Sequence, residues 1–151
     1  MKMKFPCVIG LIIITILACN CSSLQLEPVN FGWPVERVLD IDSTGKIDDI
    51  RYSLSFDVKP IFENEFQDSL KFIEGQLRII RDTQGYYFIT AKNFKNVYVF
   101  YGDDGKLLLD DIIFVSEKGL TSPAFNQRPP YIELLLNENS KLLINNEGIK
   151  E

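Results

Sequence analysis

Histidine is missing from all 151 residues, and the three cysteines are confined to Cys7, Cys19 and Cys21. Without imidazole there is no Ser-His-Asp triad, no Cys-His pair, no histidine metal ligand and no histidine pH switch. With no cysteine beyond Cys21, the body of the chain has no disulfide, thiolate zinc site or cysteine nucleophile. A phosphate-cradling Gly-rich loop and a GxSxG elbow are also missing. Any catalysis would therefore rest on carboxylates. Basic side chains are outnumbered, 16 to 21, for a net charge of −5. With no cluster of Lys or Arg, nucleic acid is excluded as an expected partner. Only one long hydrophobic run is present, Val8 to Ala18.

That run follows Lys2 and Lys4 and is eleven residues long. A membrane-spanning helix needs about 20 apolar residues, whereas a signal-peptide core needs about 7–15. The run ends in Ile16-Leu17-Ala18-Cys19. An aliphatic residue, a tolerant position and a small residue directly before Cys resemble the lipobox of bacterial lipoproteins. The resemblance covers about the first 21 residues. It implies a signal peptide over residues 1–18, a lipid anchor on the sulfur of Cys19, and acylation of the new amino terminus by fatty acids such as palmitate. Two other readings are ordinary cleavage near Cys21-Ser22-Ser23, releasing a secreted protein, and a retained N-terminal anchor. Cys21 fits the lipid site less well, because Asn20 precedes it where Ala18 precedes Cys19. Several acyl chains would hold the protein on a membrane almost permanently, since each buried CH2 contributes about 0.8 kcal/mol. The expected location is the bacterial cell envelope, on the outer membrane, with the domain on its periplasmic or its surface face.

Removing residues 1–18 takes away two lysines and no acidic residue, leaving 133 residues with a net charge of −7. Residues 19–30 are largely polar and lack periodicity, as befits a tether between lipid and domain. Residues 31–151 are expected to form a single all-β domain, an antiparallel meander folded into a sandwich or barrel. Arg51 to Val58 alternates, with Tyr52, Leu54, Phe56 and Val58 on one face. Tyr86 to Thr90 and Val97 to Tyr101 are apolar on both faces and are predicted to be central strands. Leu77 to Arg81, Lys106 to Leu109, Ile112 to Val115, Tyr131 to Leu136 and Leu142 to Ile144 complete the set. Asx-Gly turns at Asp42–Gly45, Asp82–Gly85, Asp103–Gly105 and Asn145–Gly148 separate strands. In 60–72, Phe62, Phe66 and Leu70 recur at helical spacing, so a short helix ended by Gly75 is expected. Trp33 is expected in the core; its rival role is a platform on which a ligand stacks. The hairpin Asn96 to Leu108 resembles those in propeller blades of the NHL type. About 120 residues make at most three blades where a closed propeller needs at least four, so that fold implies association of several chains.

Three constellations could carry function. Asp40, Asp42, Thr44, Gly45 and Asp48 resemble the DxDxDGxxD loop of calcium-binding proteins, with Thr44 in place of an Asp. Calcium suits several oxygen ligands on one tight turn, but Arg51 stands where an EF-hand has its bidentate Glu. The plain alternative is a solvated Asx-Gly hairpin with surface carboxylates. Asp103, Asp104, Asp110 and Asp111 supply paired carboxylates of the kind glycoside hydrolysis uses, or simply keep a sheet edge from pairing. The loop Ser122 to Tyr131 is stiffened by proline. Its Phe125, Asn126, Gln127, Arg128 and Tyr131 include residue types enriched in binding hot spots; otherwise its aromatics pack inward as a crossover. The expected function is a membrane-anchored envelope lipoprotein acting as a binding or assembly module for a protein or glycan, not an enzyme. Alternatives are a carboxylate-dependent hydrolase of envelope polysaccharide and a self-associating structural lipoprotein.

Overall fold

The computed structural model describes residues 32–50, 53–137 and 139–150. The expected signal peptide, Cys19 and tether, with Arg51 and Tyr52, lie outside the described residues. Eleven strands and one short α-helix follow in order: β1 (Arg37–Asp40), β2 (Lys46–Asp49), β3 (Leu54–Asp57), α1 (Lys59–Phe66), β4 (Gln76–Arg81), β5 (Tyr86–Ala91), β6 (Asn96–Asp103), β7 (Lys106–Phe114), β8 (Ala124–Arg128), β9 (Tyr131–Asn137), β10 (Ser140–Asn145) and β11 (Gly148–Lys150). The fold is all-β, antiparallel and sandwich-like. One sheet has the order β1-β4-β5-β6-β7, a second β11-β10-β9-β8, and β2 pairs with β3 as a separate hairpin. No sheet closes into a barrel among the described residues. The hairpin that resembles a propeller blade is the β6–β7 pair of the five-stranded sheet.

The central strands are the two with no polar face. In β5 and β6, Phe88, Ile89, Val97, Tyr98 and Val99 are buried whichever way they point, because the sheet is covered on both sides. Register places Leu77, Ile79, Ile89 and Tyr98 on the face that meets α1 and the β2–β3 hairpin. The opposite face carries Ile80, Phe88 and Val99 toward the second sheet, whose Phe125, Ile132, Leu134 and Ile144 are equally buried. All of these belong to one apolar cluster. Trp33 is buried at its margin, edge-to-face with Tyr87 at 5.6 Å between ring centroids. Phe94 stands among Phe62, Phe66 and Tyr98 at 5.2, 5.5 and 5.9 Å, all edge-to-face, the arrangement aromatic quadrupoles prefer.

Four expectations need correction. The helix stops at Phe66, where Gln67 turns left-handed at φ 55°, and a separate 3-10 turn, Lys71–Glu74, precedes Gly75. Leu70 therefore leaves the Phe62–Phe66 face and is 60% exposed. Lys106 to Leu109 and Ile112 to Val115 are not two strands but one, since a bulge opposite Val99 and Phe100 carries β7 through Asp110 and Asp111. Ser122 to Tyr131 is not a loop but mostly the hairpin β8–β9, turning at the cis Pro129–Pro130 bond. Finally, Asp42–Gly45 is not the tip of a hairpin, because it joins β1 to β2 and these pair in different sheets.

Candidate functional site: a polar cleft beside helix α1

Helix α1 is held from both ends of its inner face. Phe62 and Phe66 enter the aromatic cluster, while the Glu65 carboxylate accepts from Asn96 Nδ2 and from the Tyr98 hydroxyl, both at 2.8 Å, and from the Lys95 amide. Burial, and then the neighbouring Glu65, hold the Tyr98 phenol far above its ordinary pKa near 10. The turn after β5 is locked to the segment that follows β7. The Asn93 amide donates to the Leu120 carbonyl at 2.7 Å, and the Leu120 amide returns a bond to the Phe94 carbonyl at 2.8 Å. Gly119, at φ 78°, permits this closeness, since a Cβ there would stand 2.6 Å from the Asn93 carbonyl oxygen.

These constraints open a cleft of about 1040 Å³ between the end of α1, the start of β4 and the two locked turns. Phe66 forms part of its wall, with Lys71 Nζ 4.7 Å from the ring centroid. Gln76, Asn93, Thr121 and Ser122 add amide and hydroxyl groups. Of the charged side chains lining it, Arg78 is paired with Glu36, and Asp40 accepts from Gln76 Nε2 at 2.7 Å. Lys71 and Lys92 are in no ion pair among the described residues. The Asn93 signal was local: an Asn after a strand supplies the left-handed turn residue seen at φ 69°. The lysines carried no signal of their own, because only the sheet register brings residue 40 near residue 122.

The residues singled out between Phe125 and Tyr131 are divided by strand alternation. Phe125 is in the core, and Gln127 faces the same way, its Nε2 donating to the Arg81 carbonyl at 2.6 Å. Asn126, Arg128 and Tyr131 share the outer face of the second sheet with Glu133. Glu133 accepts from Lys141 Nζ at 2.8 Å and Asn126 Nδ2 at 3.3 Å, with Arg128 Nε at 3.6 Å. The Lys141 bond, then the Asn126 bond, hold its carboxyl below the ordinary range. None of the five residues lines the cleft.

In the calcium-like loop, Asp42 Oδ1 is taken up by the turn. It accepts from the Thr44 amide and hydroxyl, both at 2.8 Å, and from the Lys46 amide at 2.9 Å. These bonds, that of Lys46 foremost, lower the Asp42 pKa. Asp40 is in β1 and Asp48 is exposed in β2. Among the described residues, no three His, Cys, Asp or Glu side chains converge to hold a metal ion. Asp103, Asp104, Asp110 and Asp111 are all exposed and none lines the cleft. Asp111 Oδ1 accepts from the Ile112 amide at 2.8 Å. A second, mostly apolar pocket of about 380 Å³ lies between α1 and the sheet, lined in part by Ile61, Tyr98, Phe100 and Leu109.

Compared with known protein families, curated proteins and solved structures, the chain has no match among any of the three.

Proposed function

We propose that the chain is an acylated bacterial envelope lipoprotein, anchored through Cys19, whose β-sandwich body is a binding module with the cleft as its ligand site. The cleft carries this reading. Ligand sites are concave and use a few placed polar groups to fix orientation, and this cleft of about 1040 Å³ brings amide, hydroxyl and ammonium groups together beside Phe66. It is built on a sheet edge and two interlocked turns rather than on a free loop, so its walls are set before a ligand arrives. The anchor reading rests on the order of Lys2, Lys4, the apolar run and Ala18-Cys19.

Both halves have a direct test. Cells expressing the full chain incorporate labelled palmitate into it and retain it in membranes, whereas Cys19→Ala loses label and retention together. Label persisting in Cys19→Ala, or absent from the parent chain, contradicts the anchor. For the module, solubilised envelope material is titrated into the full chain in neutral detergent micelles. Ser122→Trp, which fills the cleft from an exposed position, abolishes binding; unchanged binding refutes the cleft as the site.

A further inference from the structure

We infer that the ligand of this cleft is an acidic saccharide, a sugar chain bearing carboxylate groups. The inference rests on the cleft being the binding site and adds the class of molecule it takes. Its basis is a local inversion of charge. The chain as a whole carries a net charge of −5, yet the cleft is lined by three cationic side chains and a single acidic one. Arg78 is paired with Glu36, and Asp40 keeps its negative charge while accepting a hydrogen bond from the neutral amide of Gln76, so the lining is still net positive. The cations left without a carboxylate partner among the described residues are the ammonium of Lys71, 4.7 Å from the Phe66 ring centroid, and that of Lys92. In an otherwise acidic molecule, a lining with this positive balance draws anions.

The neutral groups indicate which anion. Gln76, Asn93, Thr121 and Ser122 all line the cleft, and each side chain both donates and accepts hydrogen bonds. A sugar hydroxyl does the same, so amides and hydroxyls can meet it in either direction. An extended peptide is ordinarily taken by main-chain pairing along a sheet edge, and β1, the edge strand beside the cleft, offers only four residues. Ammonium groups for the carboxylates and bidirectional groups for the ring hydroxyls together match a uronic-acid type of chain.

The test uses the full chain in neutral detergent micelles, titrated by calorimetry with oligogalacturonate and, separately, with a neutral malto-oligosaccharide of equal length. The acidic oligomer binds, its affinity falls as salt is raised, and a Lys71→Gln, Lys92→Gln double variant weakens it about tenfold, the effect expected for two exposed ion pairs. Both positions are exposed, and an unchanged Tm shows that the variant is folded. Equal binding of the neutral oligomer overturns the acidic assignment while leaving the cleft as a binding site. Binding of poly-glutamate but not oligogalacturonate overturns the saccharide assignment. Failure of oligogalacturonate to bind overturns the inference outright, and the Ser122→Trp comparison on envelope material then decides separately whether the cleft binds anything.

Discussion

The phenol of Tyr98 donates to the Glu65 carboxylate at 2.8 Å, and this bond fastens helix α1 to the central strand β6. Because Glu65 also receives Asn96 Nδ2 and the Lys95 amide, it is the more costly partner to remove. Tyr98→Phe is expected to lower the unfolding free energy by about 1–2 kcal/mol, and Glu65→Ala by about 2–4 kcal/mol, as several donors are left without an acceptor. Urea denaturation of the two variants checks the order. The phenol also sets an alkaline limit. Its pKa is raised in the fold by burial and by Glu65, so the folded state holds the proton more tightly than the unfolded chain. That contribution is complete below the ordinary tyrosine pKa of about 10 and is lost as pH rises above it. Stability falling more steeply above pH ~10 in the parent chain than in Tyr98→Phe is the expected result.

Gly119 is where the wall of the cleft depends on a missing Cβ. Gly119→Ala would strain a left-handed residue and press a methyl group to 2.6 Å from the Asn93 carbonyl oxygen. We expect a loss of about 2–3 kcal/mol, read from the shift in urea midpoint. Ligand affinity falls as well, because the turn bearing Lys92 and Asn93 is displaced.

Phe94 and Leu70 contrast a hydrophobic inside the aromatic cluster with one outside it. Phe94 is fully buried among three rings, and Phe94→Ala should cost about 3–5 kcal/mol. Leu70→Ala, at a 60% exposed position beyond the end of α1, should change stability by no more than about 0.5 kcal/mol. Thermal melts of both variants suffice; a large effect at Leu70 would restore the longer helix that the spacing suggests.

Glu133 and Asp42 work in the other direction on the pH scale. Bonds to Lys141 and to the backbone of the 42–46 turn lower their respective pKa values. A lowered carboxyl contributes stability above its unfolded pKa and loses it as pH falls through the folded one. The chain is thus expected to weaken from about pH 4 downward, with less weakening in Glu133→Gln. Melting temperatures measured across that range provide the check.

Much of the sheet was legible because its signals are local. Continuous apolar runs identified β5 and β6, and the Asx-Gly pairs at Asp82–Gly85 and Asp103–Gly105 sit at the reversals that join β4 to β5 and β6 to β7. Strands β1, β2 and β8 were not legible. They are four or five residues long and rich in charged or amide side chains, and β8 owes its conformation to pairing with β9 rather than to its own propensity. The bulge in β7 hid in the same way, since Asp110 and Asp111 interrupt the apolar pattern and only pairing with Val99 and Phe100 carries the strand through them. The cleft was the least legible feature. Its residues run from Asp40 to Pro123, and each alone is an ordinary surface or edge residue. Sequence types favoured Phe125 to Tyr131, where strand alternation sends two side chains inward and ties two of the outward three to Glu133.

The most direct measurement is amide chemical-shift mapping of the full chain in micelles during titration with solubilised envelope polysaccharide. A ligand seated in the cleft perturbs Lys71, Gln76, Asn93 and Ser122 together and leaves Asn126, Arg128 and Tyr131 unchanged. Perturbation confined to the outer face around Asn126, Arg128 and Tyr131, or none at all, would contradict the cleft as the working site of this protein.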